Sequence, residues 1–352
     1  MRGKINKILL VWAIVVTVVL VAIGVFEVTR VVGRTNLFSS NNQAAPVTTS
    51  TEVLTQEESS MQWQDDWVKH DGIIYDYNDD ILTFLVMGID KREEEVTSVY
   101  GEINGGQADA LFLVVFNPHD KTTKIIGINR NTMTDVDFYD EYGNYITTSK
   151  AQIAIQHGFG DGVEGSCELQ KKAVSNLLYQ LPIHGYAAIN MSAITTINDA
   201  VGGIDVVPLK DEVIGDFEFH AGEETHLEGD AAYAFLRGRN VDQVGSADRR
   251  LDRQKLYLSA FATKVMQEAE DKPSLAVDIY SAISKQMVTD VTVDELSYLA
   301  STVSKYSFDK DSFYLLKGKT LMGEKYEEFY PDEEAMYDMF LDIFYEKVDV
   351  NG

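Results

Sequence analysis

The sequence predicts an α/β fold: a mixed central β-sheet flanked by helices in an α+β layered arrangement, preceded by one N-terminal transmembrane helix. Three observations predict it. Two uninterrupted apolar runs of strand length, Ile81–Ile89 and Ala110–Phe116, carry the β-branched and aromatic content of strands buried on both faces. Strand-like runs alternate with segments whose apolar residues recur at helical spacing, the pattern of a layered sheet-and-helix domain. The run Ile8–Phe26 is apolar and uncharged, and at about 1.5 Å per residue it reaches roughly 28 Å, the thickness of a bilayer core.

Arg2, Lys4 and Lys7 precede that run and place the N-terminus in the cytoplasm. A cleaved signal peptide is the alternative. Its apolar region is usually shorter, and no small-residue cleavage site follows Phe26. Residues 1–7 are therefore read as a cytoplasmic tail and 8–26 as a single-pass signal-anchor, with the remainder extracytoplasmic at the cell membrane. Residues 27–70 read as a linker, because Thr35–Met61 is rich in Ser, Thr, Asn and Gln and has the composition of a flexible spacer. Ile73–Tyr77 reads as a short strand.

Asp90 stands at the end of the first apolar run and Asp109 at the start of the second. Asn117–Asp120 is a turn, and Lys124–Asn129 a third strand closed by Arg130. A hairpin across that turn, with the first strand antiparallel to the second, brings Asp90, Asp109 and Arg130 to one sheet edge. Gathering two carboxylates and an arginine there is costly without a purpose or counter-ion. Ordinary charges flanking strand ends are the blander reading.

Asp135–Asn144 lacks the spacing of a calcium loop and reads as a surface loop. Ala151–His157 reads as helical. Gly158–Gly165 has four glycines but neither a Walker lysine nor a GxGxxG pattern, so it is a poor phosphate cradle. Glu168–Leu181 and Ile194–Val201 read as helices, the latter stopped by Gly202-Gly203. Tyr186–Met191 and Ile204–Leu209 read as strands. Beyond Pro273, Leu275–Met287, Val293–Tyr306 and Asp332–Tyr345 read as helices, with a strand at Ser312–Leu316. Residues 271–352 thus form a mostly helical extension packed on or following a core domain of residues 71–270.

Arginine use is selective. Past Arg34 there are seven, and five fall between Ala231 and Gln254: Arg237, Arg239, Arg249, Arg250 and Arg253. The guanidinium fork suits bidentate contact with phosphate or carboxylate. A helix from Gly229 through Phe235 and a second starting near Ser246 or Asp248 put Arg250, Arg253 and Gln254 on one face in the second helix's first turns. Cations there oppose the helix dipole, which favours an anion at that end. Structural ion pairs in an acidic protein are the alternative.

The net charge of −26 argues against nucleic acid, and against anionic lipid for the surface as a whole. Cys167 is the only cysteine, which excludes an internal disulfide and a thiolate metal cluster. The six histidines have no zinc-site spacing.

Taken in order, MGID (Met87–Asp90), QAD (Gln107–Asp109), INRNT (Ile128–Thr132), DAVGGI (Asp199–Ile204), AFLRGR and RLDRQ resemble the motifs of the LytR-CpsA-Psr family of cell-wall glycopolymer ligases. The resemblance covers about Leu82 to Met266. It implies a membrane-anchored extracytoplasmic phosphotransferase that moves an anionic glycopolymer, of teichoic acid or capsular polysaccharide type, from a polyprenyl-pyrophosphate carrier to peptidoglycan. It implies Asp90 and Asp109 as ligands of Mg2+, or of Mn2+ in its stead. It implies Arg130, Arg237, Arg239, Arg253 and Gln254 as partners of the pyrophosphate, with Arg250 matching the first arginine of R-x-x-R-Q. Asp90, Asp109 and Arg130 would be the catalytic set, with Asp90 the better base. The family usually has Arg where Gln107 stands and Asp where Asn131 stands. Two other readings stay open: a non-catalytic wall-binding or regulatory ectodomain, and a polyprenyl-pyrophosphate hydrolase with water as acceptor.

Overall fold

The structure, a computed structural model, describes residues 29–38, 45–50, 52, 63–64, 66–92, 95–97, 105–238, 246–272, 274–303 and 305–348. The expected tail, the run Ile8–Phe26 and Arg239 lie outside the described residues. Among the described residues no helix is long and apolar enough to cross a membrane.

The described chain begins with a helix, α1 (residues 29–38), and a hairpin of β1 (Val68–His70) and β2 (Ile73–Tyr77). Next come β3 (Leu82–Ile89), β4 (Ala108–Asn117) and β5 (Thr122–Ile128), with β4 antiparallel to both β3 and β5. β6 (Met133–Tyr139) and β7 (Tyr145–Gln152) form a separate hairpin. A 3-10 segment, Ile153–Phe159, leads into α2 (Glu164–Leu177), and β8 (Gly185–Asn190) returns parallel to β3. α3 (Ile194–Ala200) is followed by four short strands, β9 (Ile204–Val206), β10 (Glu212–Ile214), β11 (Phe217–Phe219) and β12 (Thr225–Leu227), and by α4 (Gly229–Arg237) and α5 (Ser246–Asp271). The last part comprises α6 (Leu275–Ile283), β13 (Met287–Thr289), α7 (Val293–Val303), β14 (Phe313–Leu315), the hairpin of β15 (Gly318–Met322) and β16 (Glu327–Pro331), α8 (Glu333–Phe344) and β17 (Tyr345–Lys347).

The central sheet is mixed, in the order β13-β8-β3-β4-β5-β14. Both outer strands come from residues 271–352, so that segment completes the sheet as well as packing on it. Successive residues of a strand point to opposite faces. Leu85, Met87, Leu111, Leu113, Ile126 and Ile128 thus share one face and pack with Val174 of α2 and with Phe340 and Phe344 of α8. Phe112 and Ile125, on the other face, meet Leu251 and Leu258 of α5.

Three segments differ from the sequence reading. Asp135–Asn144 is not simply a surface loop, since β6 runs to Tyr139 with Thr134 and Val136 buried on either side of exposed Asp135. Its acids mask a two-residue alternation. The helix expected over Leu275–Met287 ends at Ile283, because Met287–Thr289 pairs with β8 as an edge strand. The spacer expected over Thr35–Met61 is in part built into the domain. Residues 29–38 are helical, and Leu37 is buried against Leu82, Phe84 and Tyr298. Farther on, Thr48 bonds Tyr345, the Thr49 carbonyl accepts from the Tyr337 hydroxyl, and Ser50 Oγ accepts from the Lys69 amide. The hydroxyl-rich composition that suggests flexibility supplies hydrogen-bond partners here.

Candidate active site

Strand register assembles the site. Ile89 lies opposite Ala108, after a bulge at Gly88/Ile89, and Leu111 opposite Ile128. The Asp90 amide donates to the Gln107 carbonyl at 3.0 Å, continuing the ladder past the strand end. Asp90, Asp109 and Arg130 therefore share one sheet edge.

Asp109 is enclosed, at 6% exposure. Arg130 Nη1 lies 2.7 Å from its Oδ1, and Arg250 Nη1 lies 3.0 Å from its Oδ2. Arg250 also donates from Nη2 to the Asp109 carbonyl at 3.2 Å. A buried carboxylate needs such partners, because desolvation disfavours its charge. Arg130 turns its other terminal nitrogen to the side-chain oxygen of Gln107. Asp90 is more open and accepts from Arg237 Nη2 at 2.8 Å. That bond holds the Arg237 guanidinium in its charged form more firmly than usual. Arg237 is also the last residue of α4, where the helix dipole favours a cation.

Arg253 and Gln254 share the inward face of α5 with Arg250 but serve different partners. Arg253 Nε donates to the Phe235 carbonyl at 2.8 Å, and its other nitrogens reach the Gly238 carbonyl and Glu212. Burial pushes its pKa down, with Glu212 acting against that. Gln254 Nε2 donates to the Leu236 carbonyl at 3.3 Å. The two side chains thus satisfy carbonyls at the C-terminal end of α4 that lack helical partners. The counter-charges of this helix start are the carboxylates of Asp109 and Glu212.

One residue missed by sequence reasoning is Asp248, in the first turn of α5. Its Oδ1 accepts from Asn129 Nδ2 at 2.6 Å and its Oδ2 from Thr320 Oγ1 at 2.7 Å. It clamps the end of β5 and the hairpin β15–β16 to the helix carrying Arg250. The only signal in the sequence is an acid at a helix start, which also reads as ordinary capping.

Beside this edge lies an apolar cavity of about 200 Å3. Val86, Ala110 and Phe112 form its floor, Ile197 of α3 and Phe261 of α5 its walls, and Arg237 and Gln254 also line it. Gly88 lies on the floor, where an added Cβ would come within 3.0 Å of the Ala110 Cβ, so two small residues keep that part open. Among the described residues no three acidic, histidine or cysteine groups cluster as a metal cage. Asp90 and Asp109 are the carboxylates standing at the ends of the two paired strands, each already met by an arginine. That donor set fits a divalent cation taking most of its shell from phosphate and water, as Mg2+ does.

The mixed-sheet α/β domain thus places carboxylates and guanidiniums at one sheet edge next to an apolar cavity. The chain belongs to the LytR_cpsA_psr family, whose model matches residues 37–340. It is 29% identical over 218 residues to the polyisoprenyl-teichoic acid–peptidoglycan teichoic acid transferase TagU of Bacillus mycoides (strain KBAB4), a match covering 61% of this chain and 62% of that one. It is 26% identical over 223 residues to TagU of Enterococcus faecalis (strain ATCC 700802 / V583), covering 63% and 66%. The matches span less than two thirds of either relative. Among solved structures, B. subtilis TagV superposes with a TM-score of 0.57 at 24% identity, covering 75% of this chain and 96% of that one. TagT bound to LI-WTA superposes with a TM-score of 0.56 at 20% identity, covering 75% and 89%. Both likenesses are of fold.

Proposed function

We propose that the protein is a membrane-anchored extracytoplasmic phosphotransferase. It moves an anionic glycopolymer of the teichoic acid or capsular type from a polyprenyl-pyrophosphate carrier to peptidoglycan. The observation that carries this reading is the apolar cavity with Arg237 on its lining and Asp90 paired to it. A polyprenyl chain needs a dry compartment, and its pyrophosphate needs cations where that compartment ends. The relatives, polyisoprenyl-teichoic acid–peptidoglycan teichoic acid transferases by name, support the same pairing of carrier and acceptor. The run Ile8–Phe26 supports the anchor and the extracytoplasmic location.

In this reading Arg237 leaves Asp90 for a pyrophosphate oxygen, and Arg130 takes another while Asp109 and Arg250 hold it in place. Arg253 and Gln254 brace the end of α4 behind Arg237. Mg2+ held by Asp90 and Asp109 would neutralise charge gathering on the transferred phosphoryl group. Asp90 accepts the proton of the acceptor hydroxyl as its oxygen attacks the phosphorus proximal to the glycopolymer. A phosphodiester forms, the pyrophosphate P–O bond breaks, and the polyprenyl monophosphate leaves. Positioning and electrostatics do most of the work in such a transfer.

The test fills the cavity. In Ala110→Phe the ring should occupy the floor. Release of polyprenyl monophosphate by the full chain in detergent should then fall about tenfold or more with a long-chain carrier, and much less with a short-chain one. Equal loss on both carriers, or none on either, would count against the lipid compartment.

A further inference from the structure

On the other side of Arg130 the structure has a second, larger cleft of about 960 Å3. Its chemistry is the opposite of the first. Arg130, Gln107 and Asn131 form its inner end, Lys150 and Gln152 of β7 one wall, and the turn between β15 and β16, with Lys325 and Tyr326, the other. The walls are locked together. Gln152 Nε2 donates to Asn131 Oδ1 at 3.2 Å and to the Glu327 carbonyl at 2.7 Å, and the Phe329 amide donates to the Asn131 carbonyl at 2.9 Å. Thr320 is tied to Asp248. The cleft therefore exists before any ligand arrives.

Its charges balance. Arg130, Lys150 and Lys325 face Glu324, Glu327 and Glu328, three of each sign. A polyanion gains nothing from such a lining, whereas an uncharged polyhydroxylated chain finds amides, acids and amines to bond. Tyr326 stands 69% exposed beside this polar lining, an arrangement suited to stacking on the apolar face of a sugar ring. The volume is near the top of the roughly 300–1,000 Å3 range of organic-ligand sites. The two cavities meet through one short relay: Arg237 to Asp90, Asp90 by its backbone to Gln107, and Gln107 to Arg130.

We propose that this cleft binds the acceptor, an uncharged stretch of amino-sugar glycan strand, with its reacting hydroxyl delivered past Arg130 to the site shared with the apolar cavity. The proposal rests on the transferase reading and names the acceptor subsite of that reaction. It also gives a reason for transfer to a sugar rather than to water, since a glycan seated in the cleft occupies the approach that water would use.

The experiment uses the full chain in detergent micelles, with a β-1,4-linked N-acetylglucosamine tetramer as acceptor probe and a polyprenyl-pyrophosphate disaccharide as donor. Tetramer binding is read by saturation-transfer NMR, and transfer by product formation. The Lys150→Ala, Tyr326→Ala double variant should raise the acceptor KM and weaken tetramer binding about tenfold or more, with the donor KM and the Tm unchanged. Tyr326→Trp should keep most of the binding. Tetramer binding and acceptor KM unchanged in the double variant would overturn the proposal. So would a wild-type protein that does not bind the tetramer, or an equal rise in both KM values. If the wild type shows no transfer, yet the double variant loses tetramer binding that Arg237→Ala retains, the cleft stands and the transferase reading falls.

Discussion

Asp109 and Asp90 sit at one sheet edge but differ in what their arginines do. The Asp109–Arg250 pair is enclosed on both sides, at 6% and 4% side-chain exposure. Removing Arg250 leaves Asp109 with Arg130 as its one remaining cation and takes the donors from its buried Oδ2 and carbonyl, so Arg250→Ala should cost about 3 kcal/mol of stability, read from the denaturant midpoint. Arg237 and Asp90 are both partly open to solvent, and such pairs contribute about 0–1 kcal/mol. Arg237→Ala should therefore leave the midpoint nearly unchanged while weakening pyrophosphate-lipid binding by roughly 1.5–3 kcal/mol, with Arg237→Lys a partial rescue. Midpoint losses of equal size in the two alanine variants would contradict this division. The meeting of Asp90, Asp109 and Arg130 was legible in the sequence, because two successive antiparallel pairings allow only one outcome. The partners of Arg253 were not, because it reaches the carbonyls of Phe235 and Gly238, and a carbonyl has no signature in a sequence. The two departures from the family pattern, Gln107 and Asn131, remove one positive and one negative charge together. Gln107 instead accepts a charge-assisted bond from the Arg130 guanidinium, and Asn131 accepts a neutral one from the Gln152 amide.

At the scale of elements, one buried and one half-buried histidine hold the approaches to the sheet. His157, in the 3-10 segment before α2, has Nδ1 3.0 Å from the Gly106 carbonyl, just ahead of Gln107 and Asp109. His184, just before β8, accepts the Thr83 amide at Nδ1 at 3.0 Å, a bond that only the unprotonated nitrogen can make. Burial lowers both from 6.5 to about 4. The unfolded chain then takes up protons first as pH falls, so these groups contribute fully above about 6.5 and progressively less down to about 4. At roughly 1.4 kcal/mol per tenfold, the loss approaches 3 kcal/mol for each. Urea midpoints measured from pH 7 to pH 4 should fall accordingly, and His184→Gln should flatten the slope. A midpoint constant over that interval would refute the assignment. Among elements, the long buried strands were legible from composition alone. β6 was not, because acids on its exposed face obscured the alternation. β13 has three residues, too few for any periodicity to register.

The whole molecule reads differently from its parts. Residues 271–352 look helical and separable in sequence, because their helices have clear apolar spacing and their strands are short. In the structure they supply both borders of the central sheet, and Phe340 and Phe344 to its core. A chain ending at residue 270 should leave β8 and β5 without their outer neighbours and take α8 from a sheet face that α2 covers only in part, and should elute from a sizing column as aggregate. A soluble monomer with native helix content would show that the first 270 residues suffice.

The position of β13 and β14 also sets a timetable. A ribosome makes the middle of the sheet first, and the backbone groups on its flanks wait unpaired until β13 and β14 have been synthesised. During that interval two hydrophobic strands offer open edges to any other chain, the situation that invites misassembly. The nascent protein is thus most exposed to error until β13 and β14 emerge, and a holding chaperone present in that interval should raise its yield.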